Sequence, residues 1–305
     1  MTQTDTFPDE PGFARRMARM LWADKFALAA ALFLLLIVVL AIIGPAWLDA
    51  AAQKQNLRGR NAPPFEFSRG WLWIMGADAL GRPLLARIIV ATQNTMLVAA
   101  GAVLISATVG SALGLVAGYA GPRVSQIIMR LADVIMSFPS LLIAVIVLYI
   151  LGPSVLNLII VLAITRIPVY LRTTRAEVLE IKERMFVSAA RVMGASPGRI
   201  VFRHILPVVL PTLMTIATLD FAFVMLAESA LSFLGIGIQP PEITWGLMIS
   251  QGKQYLTTAW WLSFWPGLAI ILTTLSLNLL SNWMRIALDP VQRWRRKQTI
   301  SRGLA

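Results

Sequence analysis

The stretch "FALAAALFLLLIVVLAIIGPAW", Phe26 to Trp47, carries no charge and almost no polar side chain. A helix crossing a bilayer needs roughly 20 apolar residues, and this run supplies them. Uncharged sequence continues from Lys25 to Asp49. A cleaved signal has a shorter apolar core of roughly 7–15 residues and a small-residue cleavage site, so the run is read as a retained first span. The rest of the chain agrees. Of 305 residues, 57% are hydrophobic and only 14% charged, against about a quarter charged in soluble domains, and the mean hydropathy is +0.72. The expected fold is an all-α polytopic membrane protein forming one bundle.

Five further spans follow the same logic. The second lies between Arg87 and Arg123, about Thr92–Tyr119. The third and fourth share the apolar region after Asp133 and are divided at "LGPS", Leu151–Ser154, where Gly-Pro favours a tight turn. The fifth is about Val208–Leu234 and the sixth about Leu262–Ile286. Placing both termini in the cytoplasm puts 19 of the 27 lysines and arginines on the inner side and seven on the outer, with Arg166 inside the fourth span. That bias orients the bundle. Pro139, Pro168, Pro211 and Pro266 are expected to kink helices or mark their ends.

Several function classes drop out on composition. With no cysteine there is no disulfide framework or thiolate metal site, and one histidine, His204, rules out a multi-histidine metal site and argues against a Ser-His-Asp triad. The net charge of +12 comes from cations flanking apolar runs, which argues against a nucleic-acid partner. No G-x-x-x-x-G-K-[ST] phosphate loop is present, so the chain is not expected to hydrolyse ATP. No catalytic pair is evident, and the chain is read as non-enzymatic.

On the second span, Ala102, Ser106, Gly110, Gly114 and Gly118 recur every four residues, a face on which another helix can approach closely. It is read as ordinary packing within the bundle, or as a subunit-subunit or gating seam. The largest inner loop contains "SAARVMGASPGRIVFRHILP", Ser188–Pro207. Ala189, Ala190 and Met193 are expected to share one face of a short helix with Met185 and Phe186. Gly194 suits a left-handed helix end, Ser196 or Ala195 can begin the next helix with Pro197 in its first turn, and Leu206-Pro207 returns the chain to the membrane.

This loop resembles the "EAA" loop of bacterial ABC importer permeases, with Ala189-Ala190, Gly194, Leu206 and Pro207 at matching spacings. Ser188 stands at the glutamate position and His204 at the isoleucine position, beside Ile205. Other stretches are similar to permeases of the dipeptide/oligopeptide/nickel type: "MGADALGRPLLARI" (Met75–Ile88, with Pro83 in place of an aspartate), "RLADVIMSFPSLLIA" (Arg130–Ala144), "LSFLGIGIQPPEITWGLMI" (Leu231–Ile249) and "FWPGLAIILTTLSLNLLSNWMRIALDP" (Phe264–Pro290). The resemblance runs from about Trp71 to Pro290.

It implies a six-helix permease of the type I ABC importer architecture. The implied layout is a cytoplasmic segment at 1–25, a first span at 26–48, an outer loop at 49–91, a five-helix core at 92–290 with a docking loop at about 175–207, and a basic cytoplasmic tail at 291–305. It also implies a second homologous permease, two cytoplasmic ATPases that bind ATP and Mg in place of any cofactor in this chain, and an outer solute-binding protein delivering a short peptide or peptide-like solute. Ser188, Ala189, Ala190, Gly194, Leu206 and Pro207 would form the ATPase-coupling loop. Gln239, Pro240, Pro241, Trp245 and Gly246 would meet the binding protein, although Trp245 also suits an interfacial anchor. A self-sufficient secondary transporter or channel is the rival reading. It would need its own ion-coupling residues and usually an internal repeat, which is not evident.

Asp220, midway along the fifth span, is read either as lining the pathway and attracting a cationic group, or as a structural partner of an arginine or neighbouring helix. Glu228 is read as a gate or helix pin, or as solvated near the outer interface. Arg166 is expected to snorkel to the inner interface, Arg130 and Asp133 to form a local pair or interface anchors, and His204 to pack the loop. "RWRRK", Arg293–Lys297, is read as a cytoplasmic stop and a contact for anionic membrane lipid.

Overall fold

The computed structural model describes residues 13–288. The expectations for the extreme N-terminus, for Asp289-Pro290 and for the basic tail lie outside these residues. Among the described residues the regular elements are all helical, and the one β-type pairing is an isolated bridge between Ala77 and Pro83. An amphipathic helix α1 (Phe13–Ala23) leads into α2 (Lys25–Gln53), with Asp24 between them accepting from the amide of Ala27. Then come α3 (Leu84–Tyr119), α4 (Pro122–Met136), α5 (Ser140–Leu151), α6 (Val155–Ile181) and α7 (Met185–Val192). A single turn α8 (Pro197–Arg199) and a π-helical segment (Ile200–Ile205) feed α9 (Leu206–Phe233). The series ends with α10 (Trp245–Gly252) and α11 (Trp261–Leu288).

Five helices are long and apolar enough to cross a membrane, and α4 with α5 makes a sixth crossing if taken as one broken span. The two meet at 81°, at Pro139, one of the prolines expected to kink a helix or mark its end. Pro139 caps α5 and cannot supply an amide hydrogen to a helix running through it. Ser137 completes the break by donating its hydroxyl to the carbonyl of Asp133 at 2.7 Å. By contrast, Pro168, Pro211 and Pro266 lie inside continuous helices and do not end them. The second span also begins earlier than expected, at Leu84 and not Thr92, so the loop after α2 covers 54–83. At Leu151–Ser154 the turn forms as read. Gly152 has φ +81°, and Asn157 donates its side-chain amide to the carbonyls of Leu151 and Gly152.

Helix α3 is the centre of the bundle and packs on α2, α6 and α9. Its small-residue face lies against α6. A Cβ placed on Gly110 would fall 2.7 Å from both the Ile167 carbonyl oxygen and Tyr170 Cβ. One on Gly114 would fall 2.6 Å from Thr174 Cβ and 2.7 Å from the Leu171 carbonyl oxygen, and one on Gly118 would fall 2.6 Å from Val178 Cβ. These neighbours are backbone or branched carbons close to it, so they cannot swing aside. Lipid tails are as apolar as leucine, so burial alone gives helices little reason to associate in a bilayer; close van der Waals contact does. The outward faces of α2 and of α4–α5 are apolar and exposed, among them Leu32, Leu36, Ile42, Ile127, Leu131 and Ile146, as a lipid- or subunit-facing wall requires.

The close approach predicts a graded response. Gly114→Leu should lower the thermal midpoint of the detergent-solubilised chain, an overpacking cost of about 1–3 kcal/mol or more. Gly198→Ala, where nothing lies within 4 Å of the added carbon, should leave it unchanged. Differential scanning fluorimetry of both variants checks this.

Candidate functional site

The loop joining α6 to α9 is a built structure. Arg184 caps α7 at one end. At the other, Gly194 takes φ +80° and a paired turn closes the helix. The Gly194 amide donates to the Arg191 carbonyl and the Ala195 amide to the Ala190 carbonyl, both at 3.0 Å. This is the Schellman arrangement that a left-handed glycine permits. Ser196 then starts the next helix, its hydroxyl accepting from Arg199 N, with Pro197 in the first turn. His204 sits half-buried in the π-helical segment before Leu206 and Pro207.

Helix α7 has two faces, and they differ from the expected arrangement. Val187 and Ala190 point inward: Val187 joins a core cluster with Ile181, Ile200, Ile205 and Val209, and Ala190 is buried beside it in the same helix. Ala190 therefore does not share a face with Met185 and Met193. The outward face carries Met185, Phe186, Ser188, Ala189, Val192 and Met193, with Met185, Val192 and Met193 at 89%, 88% and 80% exposure. Four large apolar side chains, Met185, Phe186, Val192 and Met193, spread over about two turns of helix and held by a buried pair beneath them, form a knob that nothing covers among the described residues.

Polar links brace the base of this loop. Asp133 on α4 pairs with Arg172 on α6 at 2.5 Å, and Arg175 donates to the Ser125 hydroxyl at 2.7 Å. Asp133 thus reaches across helices and not to Arg130. Lys182 donates to the carbonyl of Gly118 at 3.3 Å.

Midway along the bundle, Arg166 on α6 forms an ion pair with Asp220 on α9 and lies over the Phe223 ring, 4.3 Å from its centroid. Snorkelling is corrected here: the guanidinium turns to a partner at bilayer depth. Asp220 is buried in this chain and faces Arg166, as the reading of a structural partner for an arginine has it. Its second carboxylate oxygen, the Arg166 Nε and the Tyr170 hydroxyl are all buried without a partner. The sequence offered one signal for this pair, an arginine and an aspartate at mid-span on different helices, since intramembrane charges of opposite sign tend to pair.

Toward the end of the bundle opposite α7, Glu228 is fully buried, which excludes solvation near an interface. Its carboxylate accepts from Ser232 at 2.8 Å and Ser229 at 3.3 Å. Thr244, whose hydroxyl caps α10 by accepting from Leu247 N, lies beside it. Trp245 and Gly246 are also corrected. Trp245 has no exposed surface; its amide donates to Thr95 Oγ1 at 3.1 Å and its indole to the Ile88 carbonyl at 3.0 Å. A Cβ on Gly246 would fall 2.6 Å from Ser229 Cα. Both anchor α10 in the core and cannot meet an outside partner. Of the five residues expected there, Pro240 and Pro241 are exposed and Gln239 half-buried. No cluster of metal-ligating side chains occurs among the described residues.

The ion pair generates a sharp expectation. Asp220→Asn leaves a cation buried and unanswered, at a cost of about 3–5 kcal/mol. The double replacement Arg166→Met with Asp220→Leu removes both charges and should recover most of that loss. Thermal unfolding of the single and double variants measures the difference.

Comparison with known proteins agrees with this geometry. Residues 110–294 match the family described as the binding-protein-dependent transport system inner membrane component. The chain is 39% identical to the di/tripeptide transport system permease protein of Pseudomonas aeruginosa, over 88% of each chain. It is 35% identical to the glutathione transport system permease protein of Pectobacterium atrosepticum, over 91% of this chain and 90% of that one. It is 34% identical to the nickel transport system permease protein of Escherichia coli, over 88% of this chain and 94% of that one. A family match through the α3–α11 bundle, with relatives aligned along nearly the whole chain, means that this protein belongs to the inner membrane components of binding-protein-dependent transport systems.

Proposed function

We propose that this multi-pass inner-membrane transport component is the permease subunit of an ATP-driven importer for short peptides or peptide-like solutes, working beside a homologous permease. One observation carries the reading: the exposed apolar knob of α7, rigidly seated on Val187 and Ala190. A partner that grips this knob can move α6 and α9, because α7 joins them through short, capped connections. The chain has no phosphate loop, so the energy enters from two separate cytoplasmic ATPases that bind ATP and Mg. The loop end carries the excess of Lys and Arg and is assigned to the cytoplasm. Exposed Pro240 and Pro241 then face an outer solute-binding protein. The peptide-transport names of the relatives support the solute class. Glu228, between Ser232 and the cap of α10, serves as a pin between α9 and α10.

The two faces of α7 separate docking from folding. Ala189→Glu puts a charge on the outward face, where it should leave the chain folded. It should also strip ATPase subunits from the complex purified from native membranes and cut ATP-driven uptake by about tenfold or more, as a charge placed in an apolar contact does. Ala190→Glu buries the charge instead and should unfold the loop. Normal uptake in Ala189→Glu, abolished by an ionophore and indifferent to ATP, would indicate a self-sufficient secondary transporter.

A further inference from the structure

A cavity of about 480 Å³ opens at the end of the bundle opposite α7, between the 78–82 turn, the start of α3, and α10 with the turn after it. Its lining contains one acid, Asp78, and three cations, Arg82, Arg87 and Lys253. Asp78 is already saturated. One carboxylate oxygen accepts from the amides of Leu80 at 2.9 Å and Arg82 at 2.8 Å. The other accepts from Arg82 Nε at 2.7 Å and from the Arg87 guanidinium. A carboxylate offers about four such acceptor positions, and all are taken.

The cations are not saturated. Arg87 is buried, with 3% of its side chain exposed, and its Nε has no partner; its remaining contact is to Gln251 Oε1 at 3.1 Å. The terminal nitrogens of Arg82 make no hydrogen bond among the described residues, although its side chain is only 18% exposed. The next position, where a second carboxylate could have answered, is Pro83. Two guanidiniums therefore share one negative charge, Arg87 buried and Arg82 partly exposed to the cavity. An arginine fork with free N–H groups fits a carboxylate, which it binds bidentately. The cavity lies in the size range of small-molecule sites, roughly 300–1,000 Å³, and is far too small for a protein segment of any length.

We infer that this cavity is a subsite for the carboxylate of a small solute, held by Arg82 and backed by Arg87. The inference deepens the peptide-import reading and rests on it for the solute class: the group recognised is the free C-terminal carboxylate of a short peptide arriving at the outer side.

The test uses the full-length chain in lipid nanodiscs and isothermal titration calorimetry. Alanyl-alanine should bind, alanyl-alanine amide should bind about tenfold or more weakly, and acetate should compete with the dipeptide. Arg82→Gln should weaken alanyl-alanine binding by a similar factor, the size of a lost charge-assisted hydrogen bond. Leu80→Glu supplies a tethered carboxylate at the half-open rim of the cavity. It should abolish dipeptide binding while raising the thermal midpoint, which separates a filled site from a misfolded one. Equal binding of acid and amide, no binding of either, or wild-type binding by Leu80→Glu overturns the inference. ATP-driven uptake of alanyl-alanine by the assembled transporter keeps the two readings apart. Uptake without the carboxylate preference removes the subsite and leaves peptide import standing. Carboxylate binding without such uptake does the reverse.

Discussion

Gly110, Gly114 and Gly118 let α3 settle onto α6 at a distance where even one added carbon would collide with Tyr170, Thr174 or Val178. Water drives soluble cores together, but between helices in lipid that drive is nearly absent, so contact of this kind must hold the bundle. The other contacts build outward from the seam. Helix α9 crosses α3 and α6, α11 packs on α9, and α10 is pinned to α3 by the two hydrogen bonds of Trp245. On the proposed docking reading, so close a seam would transmit a displacement of α7 as movement of packed helices.

The charged groups divide by depth. At the loop end, Asp133–Arg172 and Arg175–Ser125 tie the broken span to α6 in partly solvated surroundings, where such links contribute little stability but fix relative position. At mid-bundle, Arg166 and Asp220 join α6 to α9 in surroundings where either charge alone is costly. The Arg166 Nε, the second Asp220 carboxylate oxygen and the Tyr170 hydroxyl have no partner, which leaves this junction incompletely satisfied. At the opposite end, one carboxylate, Asp78, is shared between Arg82 and Arg87.

The spans were legible because lipid imposes a single demand, a long uncharged helix, and Phe26–Trp47 meets it without ambiguity. Gly194 was legible for a local reason: a helix end that needs a left-handed residue favours glycine. The failures have physical causes as well. At Pro139 a break was legible, since proline cannot continue the helix ladder, but its 81° angle was not, because an apolar run reads the same whether slightly or sharply bent. The inward turn of Ala190 depended on which side of a short helix the core lies, which spacing within eight residues cannot fix. Trp245 was misplaced because aromatic residues serve equally at an interface and in a core, and only the partners at Thr95 and Ile88 decide. Arg166 was assigned to the interface because its partner lies 54 residues away in sequence.

The account stands or falls on α7 being the point where a partner engages. The chain contains no cysteine, so a single thiol can be placed at Met193 or at Val187 without background. Thiol-specific cross-linking in inverted native membrane vesicles then reads contact directly. The account predicts that the Met193→Cys chain becomes covalently joined to an ATP-hydrolysing subunit, with a yield that changes on adding ATP, and that the Val187→Cys chain does not. A Met193→Cys chain that stays uncross-linked in vesicles that still transport would contradict it.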